Sequence, residues 1–137
     1  MSRQLSGIKW GWVLLGAVIA VGIAIFGVFA AVTGYAFHLA FQVRGAPDQQ
    51  MINQFAARTS PVLASVLMGI GALLGGLLAA RKGRPAAVKN GVAVGVLTAL
   101  VGLISDLLMG PDLWTAVAIA LAVGGGWVAG QLGRGRA

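Results

Sequence analysis

At 137 residues the chain is the size of one domain, with 58 % hydrophobic and only 9 % charged residues. That is too little polar surface to coat a soluble globule, and it excludes the ordinary water-soluble classes. A net charge of +7 and a pI near 11.6 would suggest nucleic acid in a soluble protein. Here the basic residues flank long apolar runs, so anionic phospholipid headgroups are the expected partner and nucleic acid is not.

The first apolar run extends from Trp10 to about Ala36, behind Arg3 and Lys9. It is far longer than a signal-peptide core and reads as a membrane anchor. A bilayer core of about 30 Å needs about 20 helical residues. On that basis span one is expected over about 12–33, span two over 61–80, span three over 91–109 and span four over 113–130, within a single membrane domain, 1–137. All should be α-helical, because in lipid an unpaired backbone amide costs several kcal/mol and the runs lack the alternation of barrel strands.

Span one overshoots, with no formally charged residue from Trp10 to Val43. Either it tilts strongly or Tyr35 to Phe41 projects beyond the membrane. The insertion that follows, about 34–60, places Met51, Ile52, Phe55 and Ala56 at helical spacing among Gln49, Gln50, Asn53 and Gln54. This suits a short amphipathic helix on the outer face; a polar loop with one helical turn accounts for it equally. Ser60-Pro61 reads as an N-cap and first helical residue. Gly110-Pro111-Asp112 reads as a tight turn between spans three and four. Trp10, Trp12 and Trp114 fall at expected water boundaries.

Eight of the ten cations lie in three segments: Arg3 and Lys9, then Arg81, Lys82, Arg84 and Lys89, then Arg134 and Arg136. Only Arg44 and Arg58 lie on the other side. This positive-inside pattern implies four transmembrane helices as two tandem hairpins, both termini cytoplasmic, in a bacterial inner membrane. The fold class expected is thus an all-α membrane protein with a short outer amphipathic segment after helix 1. The ends of spans two and four, Gly75-Gly76 to Arg84 and Gly125-Gly126 to Arg134, parallel each other. Lys9-Trp10-Gly11 likewise parallels Lys89-Asn90-Gly91. This is the pattern of a parallel repeat whose first half carries about thirty extra residues. Convergence on small residues before a basic stop gives the same likeness.

The 22 glycines form strips. Gly71 and Gly75, Gly91 and Gly95, and Gly126 and Gly130 recur at helical spacing, and Gly16 extends the rule through Ala20 and Ala24. Small residues so placed let two backbones approach closely, within the chain or between proteins. Gly91, Gly95, Ala99, Gly102 and Asp106 share one face of span three. Asp106 therefore points at another helix, either hydrogen-bonded to Ser105 or Thr115 or serving as a cation or proton site. His38 follows Gly34 by one turn near the end of span one. That spacing resembles the bacteriochlorophyll-binding pattern of light-harvesting polypeptides and would imply a pigment contact; a histidine held by headgroups or water fits the same residues.

One histidine, three aspartates, no Glu and no Cys do not supply a metal site or a nucleophilic triad, so no enzyme is expected. From about Gly69 to Gly102 the chain is similar to small four-span, glycine-rich bacterial membrane proteins of unknown function, a resemblance that implies architecture and no activity. It lacks the first-span glutamate of the small multidrug exporters, and its charge asymmetry is unlike the dual-topology fluoride channels. These residues lead to a non-catalytic subunit that packs through glycine-rich helix faces in a larger membrane complex, a respiratory or photosynthetic assembly being a natural host, with bound lipid as the expected cofactor-like company. A small homo-oligomeric channel or transporter, with Asp106 in the path, is the alternative.

Overall fold

The computed structural model describes residues 7–135, and every regular element among them is helical. Helix α1 spans Trp10–Val43, α2 Gln49–Lys82, α3 Ala87–Met109 and α4 Leu113–Arg134, with a 3₁₀ turn at Arg84–Ala86 before α3. All four α-helices are long and apolar enough to cross a membrane. Helix α2 packs against the other three, α3 also meets α1, and α1 and α4 stand at opposite corners.

The glycine strips set these contacts. A Cβ added at Gly75 would overlap the Gly16 carbonyl, and one at Gly71 would lie 2.7 Å from Ala20 Cα. On the other side, a Cβ at Gly91 would overlap Gly126, and one at Gly95 would lie 2.5 Å from the Ala122 carbonyl. The seam Gly16/Ala20 against Gly75/Gly71 is thus matched by Gly91/Gly95 against Gly126/Ala122. Each is an antiparallel pair of small-residue steps one turn apart. A third close approach joins α2 to α4, where a Cβ at Gly125 would sit 2.5 Å from the Gly69 carbonyl. Helix association without a water-driven term relies on such backbone proximity.

Six cations, Lys9, Arg81, Lys82, Arg84, Lys89 and Arg134, gather at one end of the molecule, hereafter the basic end. Close contacts locate it. The Lys9 backbone N–H donates to Asn90 Oδ1 at 2.9 Å, and a Cβ at Gly130 would lie 2.7 Å from Val88 Cα. Arg3 and Arg136 lie outside the described residues.

At the far end the helices differ in length. Helices α1 and α2 have 34 residues each, about 51 Å at 1.5 Å per residue, whereas α3 and α4 have 23 and 22. All four begin or end together at the basic end, so the α1–α2 pair projects alone by about a dozen residues, about 18 Å. Tyr35 stacks on Phe55 across this projection, with ring centroids 4.0 Å apart and planes 13° from parallel.

Here the boundaries expected from sequence are corrected. The stretch 34–60 contains no separate amphipathic helix. Its first part completes α1, and its helical periodicity from Gln49 onward is the first three turns of α2. Asp48, not Ser60, caps α2, its Oδ1 accepting from the Gln50 N–H at 2.8 Å. Pro61 sits inside the helix, where its missing N–H leaves one carbonyl of the preceding turn without its usual donor. The polar outer turns of α2 place that defect near the end of the short helices, outside the tightly packed region. Only Arg44 to Asp48 joins α1 to α2, and Arg44 takes a left-handed conformation at φ 49° as the C-cap of α1. Helix α3 starts four residues before the expected span, at Ala87, and α4 continues to Arg134.

Candidate functional site

Asp106 is the centre of the far end. Along α3, Gly102 precedes it by one turn and faces α2, where an added Cβ would sit 2.5 Å from the terminal methyl of Met68. Asp106 therefore lies between α3 and the neighbouring helices, half-buried. Neither sequence-expected hydrogen bond forms. Ser105 Oγ donates back to the Val101 carbonyl at 3.0 Å, a common fate for a helical serine. Thr115 is committed to Asp112: its N–H donates to Asp112 Oδ1 at 3.2 Å, and its Oγ1 accepts from the Asp112 N–H at 3.2 Å. This capping box starts α4. The Asp106 carboxylate is left without a hydrogen-bonding side chain among the described residues.

Two clefts meet at that carboxylate. The larger, about 550 Å³, lies between the outer parts of α1, α2 and α3 and is lined by apolar groups including Ile25, Phe29, Met68 and Val101. The smaller, about 270 Å³, opens at the α3–α4 turn beside Ser60, Asp112 and Trp114. Ala64, Met68 and Asp106 line both. Asp106 and Asp112, two of the three acids in the chain, thus border one small cleft in a protein of net charge +7. Ser65 closes its floor, its Oγ 2.7 Å from the Pro61 carbonyl and 3.2 Å from the Trp114 carbonyl, sharing one proton between them.

His38 is exposed on the projecting part of α1, with its Nε2 3.0 Å from Gln42 Nε2. Gly34 is exposed as well, and a Cβ there would meet nothing within 4 Å. The Gly34–His38 step therefore faces outward from the chain and encloses no internal pocket. Of the sites singled out from sequence, His38 stands apart on the projection, Asp106 at the junction shares the larger cleft with the packing glycine Gly102, and the other packing glycines run along the seams. Each of Gly16, Gly71, Gly75, Gly91, Gly95, Gly102, Gly126 and Gly130 is closely approached by another part of the same chain.

A fourth feature was missed by sequence reasoning. Asn90 is fully buried at the basic end, accepting from the Lys9 N–H and donating through Nδ2 to the Gly83 carbonyl at 3.0 Å. Lys9 Nζ adds a bond to the Lys82 carbonyl at 3.1 Å, and Lys82 Nζ sits 5.4 Å from the Trp12 ring centroid. One amide so ties the start of α1, the α2–α3 turn and α3 together. The Lys89-Asn90-Gly91 motif was visible in sequence, but an asparagine beside a basic loop gives no sign that it will be buried. Among the described residues no group of three His, Asp or Glu side chains is placed to hold a metal ion.

The fold and these sites define a helical protein with four candidate membrane-crossing helices, a multi-pass membrane class. Comparison with protein-family models, with curated proteins and with solved structures finds no match to this chain.

Proposed function

We propose that this chain is a non-catalytic integral subunit of a larger complex in a bacterial cytoplasmic membrane, arranged as two tandem hairpins with both termini in the cytoplasm. The six cations gathered at one end favour that orientation, since basic loops stay on the side where the chain is made. They also suit anionic headgroups, at about 1 kcal/mol each near the surface. The glycine seams are filled from within, which moves partner contact to the uncovered face of α1.

The observation that carries this reading is the mismatch between α1 and any bilayer. Its 34 residues carry no charge, while a core of about 30 Å takes about 20 of them. Phe37 and Phe41, 62 % and 81 % exposed, lie on the part that outlasts α3 and α4. Large apolar groups left in water beyond the lipid mark a contact surface. A neighbouring membrane protein covering this projection would remove them from water without new backbone strain.

Purification in a mild detergent tests this. Co-purification with unrelated subunits at a fixed ratio, lost when Phe37 and Phe41 are both changed to Ser, is the expected result. A chain that emerges alone or as a pure symmetric oligomer contradicts it.

A second reading has its own supporting observation, the unpartnered Asp106 between two clefts. In a small homo-oligomeric channel or transporter that carboxylate would line the path. Asp106→Asn should then abolish flux in reconstituted liposomes, and unchanged flux removes Asp106 from any such mechanism.

A further inference from the structure

We infer that the paired clefts at the far end bind a lipophilic cation, an amphiphile with an ammonium head and one apolar tail. The head sits in the smaller cleft among Asp106, Asp112 and Trp114, and the tail lies in the larger cleft along α1 and α3 beyond Met68.

Three features converge on that chemistry. The first is charge. Asp106 has no hydrogen-bonding partner, and Asp112 uses one carboxylate oxygen on Thr115, so the smaller cleft offers acceptor oxygens with no cation assigned to them. Lys and Arg supply none nearby: the far-end cations, Arg44 and Arg58, lie on the projection, and neither lines either cleft. An ionised carboxylate at membrane depth is costly when uncompensated, so a bound cation gains more there than it would at a watery surface. The second is the company of the carboxylates. Trp114 is among the residues that border the same cleft, its backbone carbonyl accepting from Ser65, and a tryptophan beside a pair of acids adds a side chain suited to an ammonium or alkylammonium group.

The third is shape. Asp106 does not end the site, because Ala64 and Met68 continue from the polar cleft into an apolar one twice as large. Apart from Ser105 and Asp106, the larger cleft is lined by apolar side chains and Gly102, and the Ser105 hydroxyl is spent on its own helix. Nothing in that cleft recognises a second polar group, which specifies a plain hydrocarbon tail. Clefts of about 300–1,000 Å³ that are largely apolar with a few convergent polar groups are the common form of a small-molecule site. An anionic amphiphile is disfavoured by the two carboxylates. A neutral lipid tail alone would leave both of them unmatched.

The test uses the whole chain in nonionic maltoside micelles and radiolabelled dodecyltrimethylammonium, counting only saturable binding displaced by unlabelled ligand. The structure predicts one saturable site per chain. Asp106→Asn should weaken binding at least tenfold, Trp114→Leu severalfold, and Val101→Trp, which fills the apolar cleft from an exposed position, should block the tail. Dodecanoate should not compete. Asp106→Asn removes no hydrogen bond within the chain, so its melting temperature serves as the check that a loss is not unfolding. Competition by phosphatidylethanolamine would identify an aminolipid headgroup as the natural source of the ammonium, and its failure would identify a free amphiphile. Equal competition by dodecanoate or dodecanol, or full-strength binding by the folded Asp106→Asn and Asp112→Asn variants, overturns the inference.

Discussion

The two ends of this molecule solve the same packing problem differently. At the basic end four helices meet, glycine faces glycine, and the buried amide of Asn90 satisfies groups from two other segments. Towards the far end the packing opens before α3 and α4 stop: one cleft lies between α1, α2 and α3, another beside the α3–α4 turn, and both are bordered by a carboxylate with no partner; beyond them α1 and α2 continue as a pair. Closeness at one end fixes the helices; looseness at the other leaves room for something that is not part of the chain. On the reading proposed above, stability and recognition are segregated along the helix axes. Substitutions should separate them.

The sharpest way to break this contrast is to insert side chains at both ends. Gly75→Leu forces α1 and α2 apart where an added Cβ already overlaps the Gly16 carbonyl. A loss of about 3 kcal/mol or more in denaturant titration in detergent is expected, at the upper end of overpacking costs. Gly34→Leu, on the exposed projection with nothing within 4 Å, should change stability by less than about 0.5 kcal/mol. Similar losses from the two would mean that the seam does not hold the bundle.

Asn90→Ala should cost about 2 kcal/mol by leaving the buried Gly83 carbonyl and the partly buried Lys9 N–H without their partner. Hydrogen exchange should show its effect at Lys9 and the α2–α3 turn and spare the projection. Tyr35→Ala removes the one ring stack that joins α1 to α2 on the projection. About 1 kcal/mol is expected, read as faster exchange confined to residues 35–55. Arg44→Gly should stabilise by about 0.5–1 kcal/mol, because glycine adopts the left-handed C-cap conformation without the penalty arginine bears. A lower melting temperature for that variant would place a needed contact at the Arg44 side chain. The smallest effect is expected for Asp106→Asn, within about 0.5 kcal/mol, because no hydrogen bond within the chain is lost. A large loss would mean that Asp106 is structural.

Much of the helical plan was legible because lipid makes the code simple: long apolar runs, glycine at helical spacing, and cations between the runs. The four helices and their small-residue faces follow from those features alone. The boundaries did not. A proline after a serine looks like a helix start, and only the continuation of Gln49 to Ser60 into the next span shows that Pro61 is interior. Polar residues around Gln49 and Asn53 disguised three turns of a spanning helix as a separate element, since local pattern does not report where a helix leaves the membrane. Asp106 was visible as an oddity, yet its setting was not. Whether a carboxylate finds a hydroxyl depends on rotamers and on competitors: Ser105 bonds its own backbone and Thr115 closes the cap of α4. Asn90 left no trace in the pattern for a related reason, since burial at a basic turn is a property of three segments meeting.

The sidedness of the four helices is directly measurable, because the sequence contains no native cysteine. Single cysteines at positions 46, 84 and 135 would be labelled with a membrane-impermeant maleimide in intact cells and again after the membrane is opened. Position 46 should react in intact cells, and positions 84 and 135 only after opening. Labelling of 46 and 84 from the same side, or of 84 and 135 from opposite sides, would contradict the four-helix arrangement.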